Sequence, residues 1–486
     1  MKKISRQILR GIVLIGMILL GFSQPVKASD DSLSRIKEKG VLVMGTSPDY
    51  PPYEFLATQN GQEQIVGMDV EIGKKIARDL GVKLKIEKMD FDSLLVGLET
   101  GKIDMVISGM NPSPERKKSV DFSNVYYHAV QDIIINKADS KIYHNKEDFK
   151  GKTVGAQTGS LQQDLIKAQM TDSSGRYLTK ITDLILALKS HKVEGIVVES
   201  AVASAYAKND PAITYIKGGF TGGSDQKGSA IAFPKNSKSL VDAANKSLNE
   251  IDKKNLVDDY LSDAGKLMAG NTKNNTMLHY WSYFAKGLGY TLLISAISAV
   301  FGVLIGMLLA LMRLGRNKVL HDLAVAYIEF IRGSPLMVQI MFVYFGLGLL
   351  VNIPALLAGI IAVSLNSAAY VAEIIRAGIT SIPVGQTEAA RSLGLSQKQT
   401  MLSVIMPQAL KNIWPSLGNE FISLIKESSI VSIIGVTDLI YELRAVQTAT
   451  YKGVAPILVA MVLYFVVTFG LSKFLLHFER KMKHDA

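Results

Sequence analysis

The sequence predicts two unlike halves: a two-lobed α/β unit, then an all-α membrane unit of about five transmembrane helices. Three observations carry this expectation. Short apolar strands alternate with amphipathic helices up to about residue 268. That alternation starts again after Ile133, as when one α/β lobe follows another. Beyond residue 280 come charge-poor apolar runs long enough to cross a bilayer. Mean hydropathy is positive at +0.21 although 20% of residues are charged, which fits a soluble part joined to a membrane part.

The elements follow in order. Residues 1–28 read as a secretory signal, with a basic opening, an apolar run from Ile12 to Phe22, and the small residues Val26 and Ala28 before a cleavage site. In lobe 1, about 30–127, "GVLVMGTS", "KLKIEKM" and "IDMVIS" read as strands. "GMDVEIGKKIARDLG" reads as a helix capped by Asp69 and stopped at Gly81. Lobe 2, about 128–218, repeats the scheme with "KTVGAQTGS" and "VEGIVVES", and "GGFTGGSDQKGSAIAFPK" returns the chain to lobe 1 over 219–268. Strand–helix alternation of this kind predicts open parallel sheets with ligands at strand ends. A polar linker, 269–279, separates this unit from the membrane unit, 280–486.

Five spans are expected: Gly287 to Met312, 319–351 with a break near Gly333, Ser334 and Pro335, then 354–379, 409–434 and 454–478. Arg313, Arg316 and Lys318 mark the first span's far end as cytoplasmic, and Tyr280, Trp281, Tyr283 and Phe284 read as an outer aromatic belt. Five crossings from outside place the basic tail "ERKMKHDA" in the cytoplasm. The net charge is +11, and many basic residues lie at the ends of apolar segments, so a lipid bilayer is the expected partner and no nucleic acid is. With no cysteine, disulfides, zinc thiolate sites and Cys nucleophiles are excluded.

Arg116 follows the strand "IDMVIS" across a proline-broken loop. A guanidinium fork in a cleft beside strand-end N–H groups suits capture of a carboxylate. Local sequence alone favours a surface arginine among Glu115, Lys117 and Lys118. Tyr50 and Phe91 alone read as core, Glu199 as a helix N-terminal carboxylate. Asp49, Glu54, Asp90 and Asp92 read as caps or solvated groups able to bias a pocket toward cations, and Ser119 and Asp121 as turn residues.

The motifs "GTSPDYPPYEF", "VGMDVEIGKKIA", "DFDSLL", "SGMNPSPERKKSVDFS", "VGAQTGSLQ" and "VEGIVVES" stand in the order seen in one family. Residues 30–268 resemble the periplasmic-type solute-binding proteins for polar amino acids. The resemblance implies the periplasmic binding protein-like II clamp, closing on a free L-amino acid. It assigns Arg116 to the α-carboxylate, with Ser108, Gly109 and Asn111 beside it and Gly159 and Ser160 donating N–H groups from lobe 2. Asn111 stands where serine or threonine is commoner, and Leu161 where threonine is frequent. The resemblance assigns Glu199 to the α-ammonium and Tyr50 and Phe91 to a sandwich around the side chain. Ser47 replaces an aspartate frequent in relatives that bind basic amino acids or glutamine. Glutamine and basic amino acids such as arginine or lysine stay level as expected substrates.

The segment "EAARSLGLSQKQTMLSVIMP", residues 388–407, reads as a helix, a glycine stop and a second helix broken by Pro407. Glu388, Ala389, Ala390, Gly394 and Pro407 match the EAA loop of ABC importer permeases. With "RGSPLMVQ", "NSAAYVAEIIRAGI" and "GNEFISLIKESSIVSIIGV", residues 280–480 resemble the amino-acid branch of that family. The loop implies docking to an ABC ATP-binding subunit. No G-x-x-x-x-G-K-[ST] occurs, so ATP and Mg are expected on that separate subunit and no cofactor on this chain. One permease unit per chain implies a homodimer in the plasma membrane. Glu373, Arg376, Glu420, Lys426 and Glu427 are expected to pair within the bundle or lie near the interface. The competing classes are a ligand-gated channel, a sensor, and an enzyme on the same clamp using His128. None finds a filter, a signalling domain or a cleft general base in the sequence.

Overall fold

The computed structural model describes residues 30–59, 62–221, 228–271, 276–450 and 452–484; the expected signal segment lies outside them. In chain order the strands are β1 Val41–Thr46, β2 Asp49–Tyr50, β3 Glu54–Gln59, β4 Gln62–Val66, β5 Lys83–Lys88, β6 Met105–Val106, β7 Val120–His128, β8 Gln131–Asn136, β9 Thr153–Gln157, β10 Ser174–Leu178, β11 Gly195–Glu199, β12 Ile213–Lys217 and β13 Gly228–Pro234. One sheet runs β5-β1-β6-β13-β7, a second β10-β9-β11-β8-β12, and a small third β2-β3-β4. Buried Leu42, Met44, Ile72, Ile76 and Met105 pack the first lobe, and Ile133, Ile135, Phe149, Val154 and Val197 the second.

The sheets are mixed, against the expectation of open parallel ones. β1 is parallel to β5 and β6, and β9 to β10 and β11. β13 runs antiparallel to β6 and β7, and β8 to β11 and β12. A parallel neighbour needs a helical crossover. β8 follows β7 of the other lobe after two residues, and β13 follows β12 of the other lobe.

Asp69 is a brace, not the expected cap. The helix Met68–Leu80 is capped by Gly67, and Asp69 sits in its first turn, fully buried. Its carboxylate accepts from Gly109 N–H at 2.8 Å and from Tyr126 Oη at 2.9 Å. Gly81 ends that helix with φ +70°.

In the second half, the helices Trp281–Leu314, Ala355–Thr380 and Val454–His477 are long and apolar enough to cross a membrane. Lys318–Arg332 and Leu336–Leu349 make a fourth span if counted together, bent by 107°. Among the described residues three or four spans, against about five expected, meet this measure of length and composition. The expected fifth, 409–434, is the helix Met406–Glu427 followed by a 3₁₀ turn, Ser428–Ile434. Lys411, Asn412, Asn419, Glu420, Lys426 and Glu427 make it too polar to count. Buried serines tie the bundle together: Ser295 to Ser428 at 3.0 Å, and Ser298 to the Ile360 carbonyl at 3.3 Å. Glu373 pairs with Arg376 at 2.9 Å and with Arg313. Glu420 accepts from Ser367 at 3.5 Å. The aromatic belt is only partly one. Trp281 is exposed, but Tyr280 and Phe284 are buried against Leu439, Leu443 and Val446.

The halves meet along one seam. The helix Leu439–Thr450 packs against β3 of the first lobe and against the helix Ile181–Lys189 of the second. Lys88 Nζ lies 4.8 Å from the centre of the Tyr441 ring, and Lys102 donates to the Ile353 carbonyl at 2.9 Å. Gly435, with φ +78°, turns the chain so close to β5 that a Cβ would overlap the Lys88 carbonyl oxygen. Nine residues, 272–280, connect the last helix of the first half, Leu256–Asn271, to Trp281–Leu314.

Gly435→Ala is expected to loosen the seam. Left-handed backbone costs a non-glycine residue about 1–2 kcal/mol. The contact over 83–90 should therefore open roughly tenfold more often, read as faster amide exchange there. Unchanged protection would show that the seam does not depend on this turn.

Candidate functional site

The cleft between the lobes gathers Ser47, Asp49, Tyr50, Glu54, Phe91, Ser108, Gly109, Asn111 and Ser160 with Gln157 and Gln162. Arg116 begins a one-turn helix, Arg116–Ser119, at the cleft's edge. Its guanidinium spans the lobes, donating to the Asn111 carbonyl at 2.8 Å and the Gly159 carbonyl at 2.6 Å. Phe91 lies beneath it, 5.6 Å from ring centre to Cζ. Burial lowers the Arg116 pKa to about 10, opposed by nearby Asp164, so it stays charged at neutral pH.

The strand-end loop is held from behind. Ser47 N–H donates to Ser108 Oγ at 3.1 Å, and Ser108 Oγ donates to Glu54 at 2.6 Å. Asn111 reaches the Gly228 carbonyl at 3.1 Å. Gly109 has φ +54° and lies over the Tyr50 ring. Across the cleft, Ser160 caps the helix Leu161–Gln169, accepting from Gln163 N–H at 3.3 Å. Gly159 N–H donates to the Gln163 side chain at 3.0 Å, so this donor already has a partner.

Glu199 is fully buried at the end of β11, and its N–H donates to Tyr50 Oη at 3.4 Å. Among the described residues, neither oxygen of its carboxylate has a hydrogen-bond partner of good geometry. Burial pushes its pKa up to about 7, with Tyr53, Asn111 and Gln131 close enough to oppose the rise. Glu54 is raised well above the usual range by burial and by nearby Asp69, which burial raises to about 6. Asp49, Glu54, Asp69 and Glu199 each keep at least one buried carboxylate oxygen without a hydrogen bond.

All ten residues expected at the first-half site come together here. Asp49, Glu54 and Asp90 are buried, not solvated as expected. Tyr53, Gln131 and Lys180 were not foreseen. Tyr53 stacks on Tyr50 with ring centres 5.6 Å apart, and only its adjacency to Tyr50 in sequence hints at it. Lys180 belongs to the far lobe and bears no motif.

Both halves match known families. Residues 42–262 match the bacterial extracellular solute-binding proteins, family 3. Residues 302–484 match the binding-protein-dependent transport system inner membrane component. The first half is 38% identical to the arginine-binding extracellular protein ArtP of Bacillus subtilis, over 50% of this chain and 92% of ArtP. The chain belongs to these families, as a fusion of binding protein and permease. The permease half is 41% identical to the putative glutamine transport system permease protein GlnP of Rickettsia bellii, over 41% of this chain and 93% of that one. It is equally 41% identical to the arginine transport system permease protein ArtQ of Bacillus subtilis, over 42% of this chain and 94% of ArtQ. The cleft is thus the receptor's, and the helical half is the permease.

The permease loop is a helix Val384–Ser392, a turn at Gly394 with φ +85°, and a short helix capped by Ser396. Glu388 and Ala389 are exposed and Ala390 is buried. Leu393, not foreseen, is 84% exposed at the turn. Pro407 does not break a helix. A π-turn, Thr400–Ile405, absorbs the irregularity, and Pro407 lies in the first turn of Met406–Glu427, where its missing N–H costs nothing.

A ligand ammonium placed at Glu199 needs that carboxylate ionised. Affinity should therefore be flat above about pH 7 and fall by up to ~tenfold per pH unit below it. Titration across pH 5.5 to 8.5 checks this (roughly the range where linkage to one such group shows). Glu199→Gln should flatten the profile, and an unchanged slope would assign the proton elsewhere.

Proposed function

We propose that this chain is the receptor and pore of an ATP-driven importer of L-amino acids with cationic side chains, arginine foremost. The carrying observation is the charge of the cleft: four buried carboxylates with unpartnered oxygens against the Arg116 guanidinium and the Lys180 ammonium, which lies near Asp49. Burying carboxylates without cations is costly. A ligand with an ammonium and a guanidinium offsets that cost, and its carboxylate finds Arg116. ArtP, bearing arginine in its name, supports the same reading.

In this mechanism Arg116 takes the α-carboxylate, Glu199 the α-ammonium, and Tyr50 and Phe91 flank the side chain, whose cation faces Glu54. The closed receptor lies on the outer mouth of the permease, outside the plasma membrane. A separate ABC ATP-binding subunit holds ATP and Mg and docks on the cytoplasmic loop through Glu388, Ala389, Ala390, Leu393 and Gly394. Two copies of the chain build one pore. ATP binding moves the loops and turns the pore outward; hydrolysis resets it. The chain itself makes and breaks no covalent bond. Glutamine is the second reading, favoured by the similarity to the Rickettsia bellii permease.

Calorimetric titration of the full chain with arginine, lysine, glutamine and glutamate tests this. Arginine should bind at least tenfold tighter than glutamine, about 1.4 kcal/mol. Glu54→Gln should narrow that gap. Arg116→Ala should weaken binding roughly 30-fold or more, the loss of about 2 kcal/mol expected for truncating a buried charged pair. Equal or tighter glutamine binding would replace the cationic reading with the amide one.

In proteoliposomes with the ATPase, Leu393→Ala and Gly394→Ala should lower amino-acid-stimulated ATP hydrolysis several-fold while the receptor still binds. Full stimulation would remove this loop from the coupling.

A further inference from the structure

A second charged cluster spans the lobes, sharing Ser47 and Asp49 with the ligand cleft and facing the permease. Lys180, from lobe 2, is 7% exposed. It reaches into lobe 1, 2.9 Å from Asp90 and 3.7 Å from Asp49, and donates to Ser47 Oγ at 3.2 Å. Burial alone would lower the lysine's pKa, but Asp49 and Asp90 outweigh it and hold it raised. Asp49, Asp90 and Lys180 line a cavity of about 30 Å³ whose opposite wall is permease: Ser432, Gly435, Tyr441, Arg444 and Thr448. Asp183, one turn along from Lys180, also feels the Arg444 charge. Among the described residues, the Arg444 guanidinium has no hydrogen bond or ion pair.

This cluster connects with the ligand cleft. Glu54 accepts from Ser108, Ser108 accepts from Ser47 N–H, and Ser47 Oγ donates to Asp49 at 2.8 Å. One chain of hydrogen bonds thus runs from a cleft carboxylate to the permease seam.

We propose that Lys180 is a latch holding the receptor closed, and that Arg444 of the permease releases it by competing for Asp49 and Asp90. Asp49 and Asp90 belong to lobe 1 and Lys180 to lobe 2, so their ion pairs exist only while the lobes are closed. A second cation arriving on lobe 1's carboxylates makes the lysine dispensable. The lobes then part over the pore mouth, and Glu54 loses its support as Ser47 shifts. The fork of an arginine can hold two carboxylates where the lysine holds them as a point charge.

The inference rests on the importer reading, and its test separates the two. The chain has no cysteine, so Arg78→Cys in lobe 1 and Lys150→Cys in lobe 2 carry spin labels on otherwise native full-length protein. Without any amino acid, Lys180→Gln should shift the label distances toward the open clamp and Lys180→Arg should not. With the ATPase in nanodiscs, ATP should widen the distance in the native chain and not in Arg444→Gln. Transport should fall more than tenfold in Arg444→Gln and recover at least threefold when Lys180→Gln is added. Recovery is the deciding result, because a mere docking arginine is not rescued by weakening the lysine. No recovery, or ATP-driven opening that persists in Arg444→Gln, overturns the proposal. If no amino acid is transported by the native chain, the substrate reading fails, while the label distances still judge the latch.

Discussion

Buried negative charge is the constraint on which the receptor depends. Asp49, Glu54, Asp69, Asp90 and Glu199 are all nearly inaccessible, and all but Glu199 are met by groups brought from other elements. Asp69 is held by Gly109 and Tyr126, and Glu54 by Ser108. Asp90 relies on a lysine from the opposite lobe. The closed arrangement of the lobes and the protonation of the cleft are therefore one problem. Burial without a cation raises the pKa of Glu199, whereas Asp90 has the Lys180 ammonium 2.9 Å away.

Much of this arrangement was legible in the sequence. The strands at 41–46 and 195–199 and the stop at Gly81 follow from local patterns. So does the helix–glycine–helix form of the loop at 384–399. Arg116, by contrast, stands out only through the ordered set of motifs around it. What local patterns missed came from tertiary context. Asp69 has the sequence position of a cap, but Gly67 takes that role and frees the carboxylate for a loop about forty residues away (contacts at such separation are invisible to helix-cap rules). Lys180 sits in an ordinary stretch before a helix, and its partners lie in the other lobe. Strand direction was misjudged because alternation shows that strands exist, not whether the chain arrives from its own lobe or the other.

The membrane half shows the same division. Apolar length identified the helices at 281–314, 355–380 and 454–477. Apolar length alone passes over the helix Met406–Glu427 within 409–434, which carries polar residues such as Glu420 that a bundle interior accepts and lipid would reject. Tyr280 and Phe284 look like interface aromatics in sequence. They are buried because the helix Leu439–Thr450 folds back against them, and that helix is also the surface that meets the receptor.

The nine-residue connector has a consequence for how loaded and empty receptors are told apart. Fully extended, it reaches no more than about 30 Å. A receptor on so short a leash faces its pore at an effective concentration of order mM, whether or not it carries cargo. Free receptors can be sorted by abundance; a leashed one cannot. The empty clamp must then have an intrinsic affinity for the pore weaker than about mM, or it would block the mouth. Discrimination rests on whether the contacts of both lobes with the helix Leu439–Thr450 can form at once.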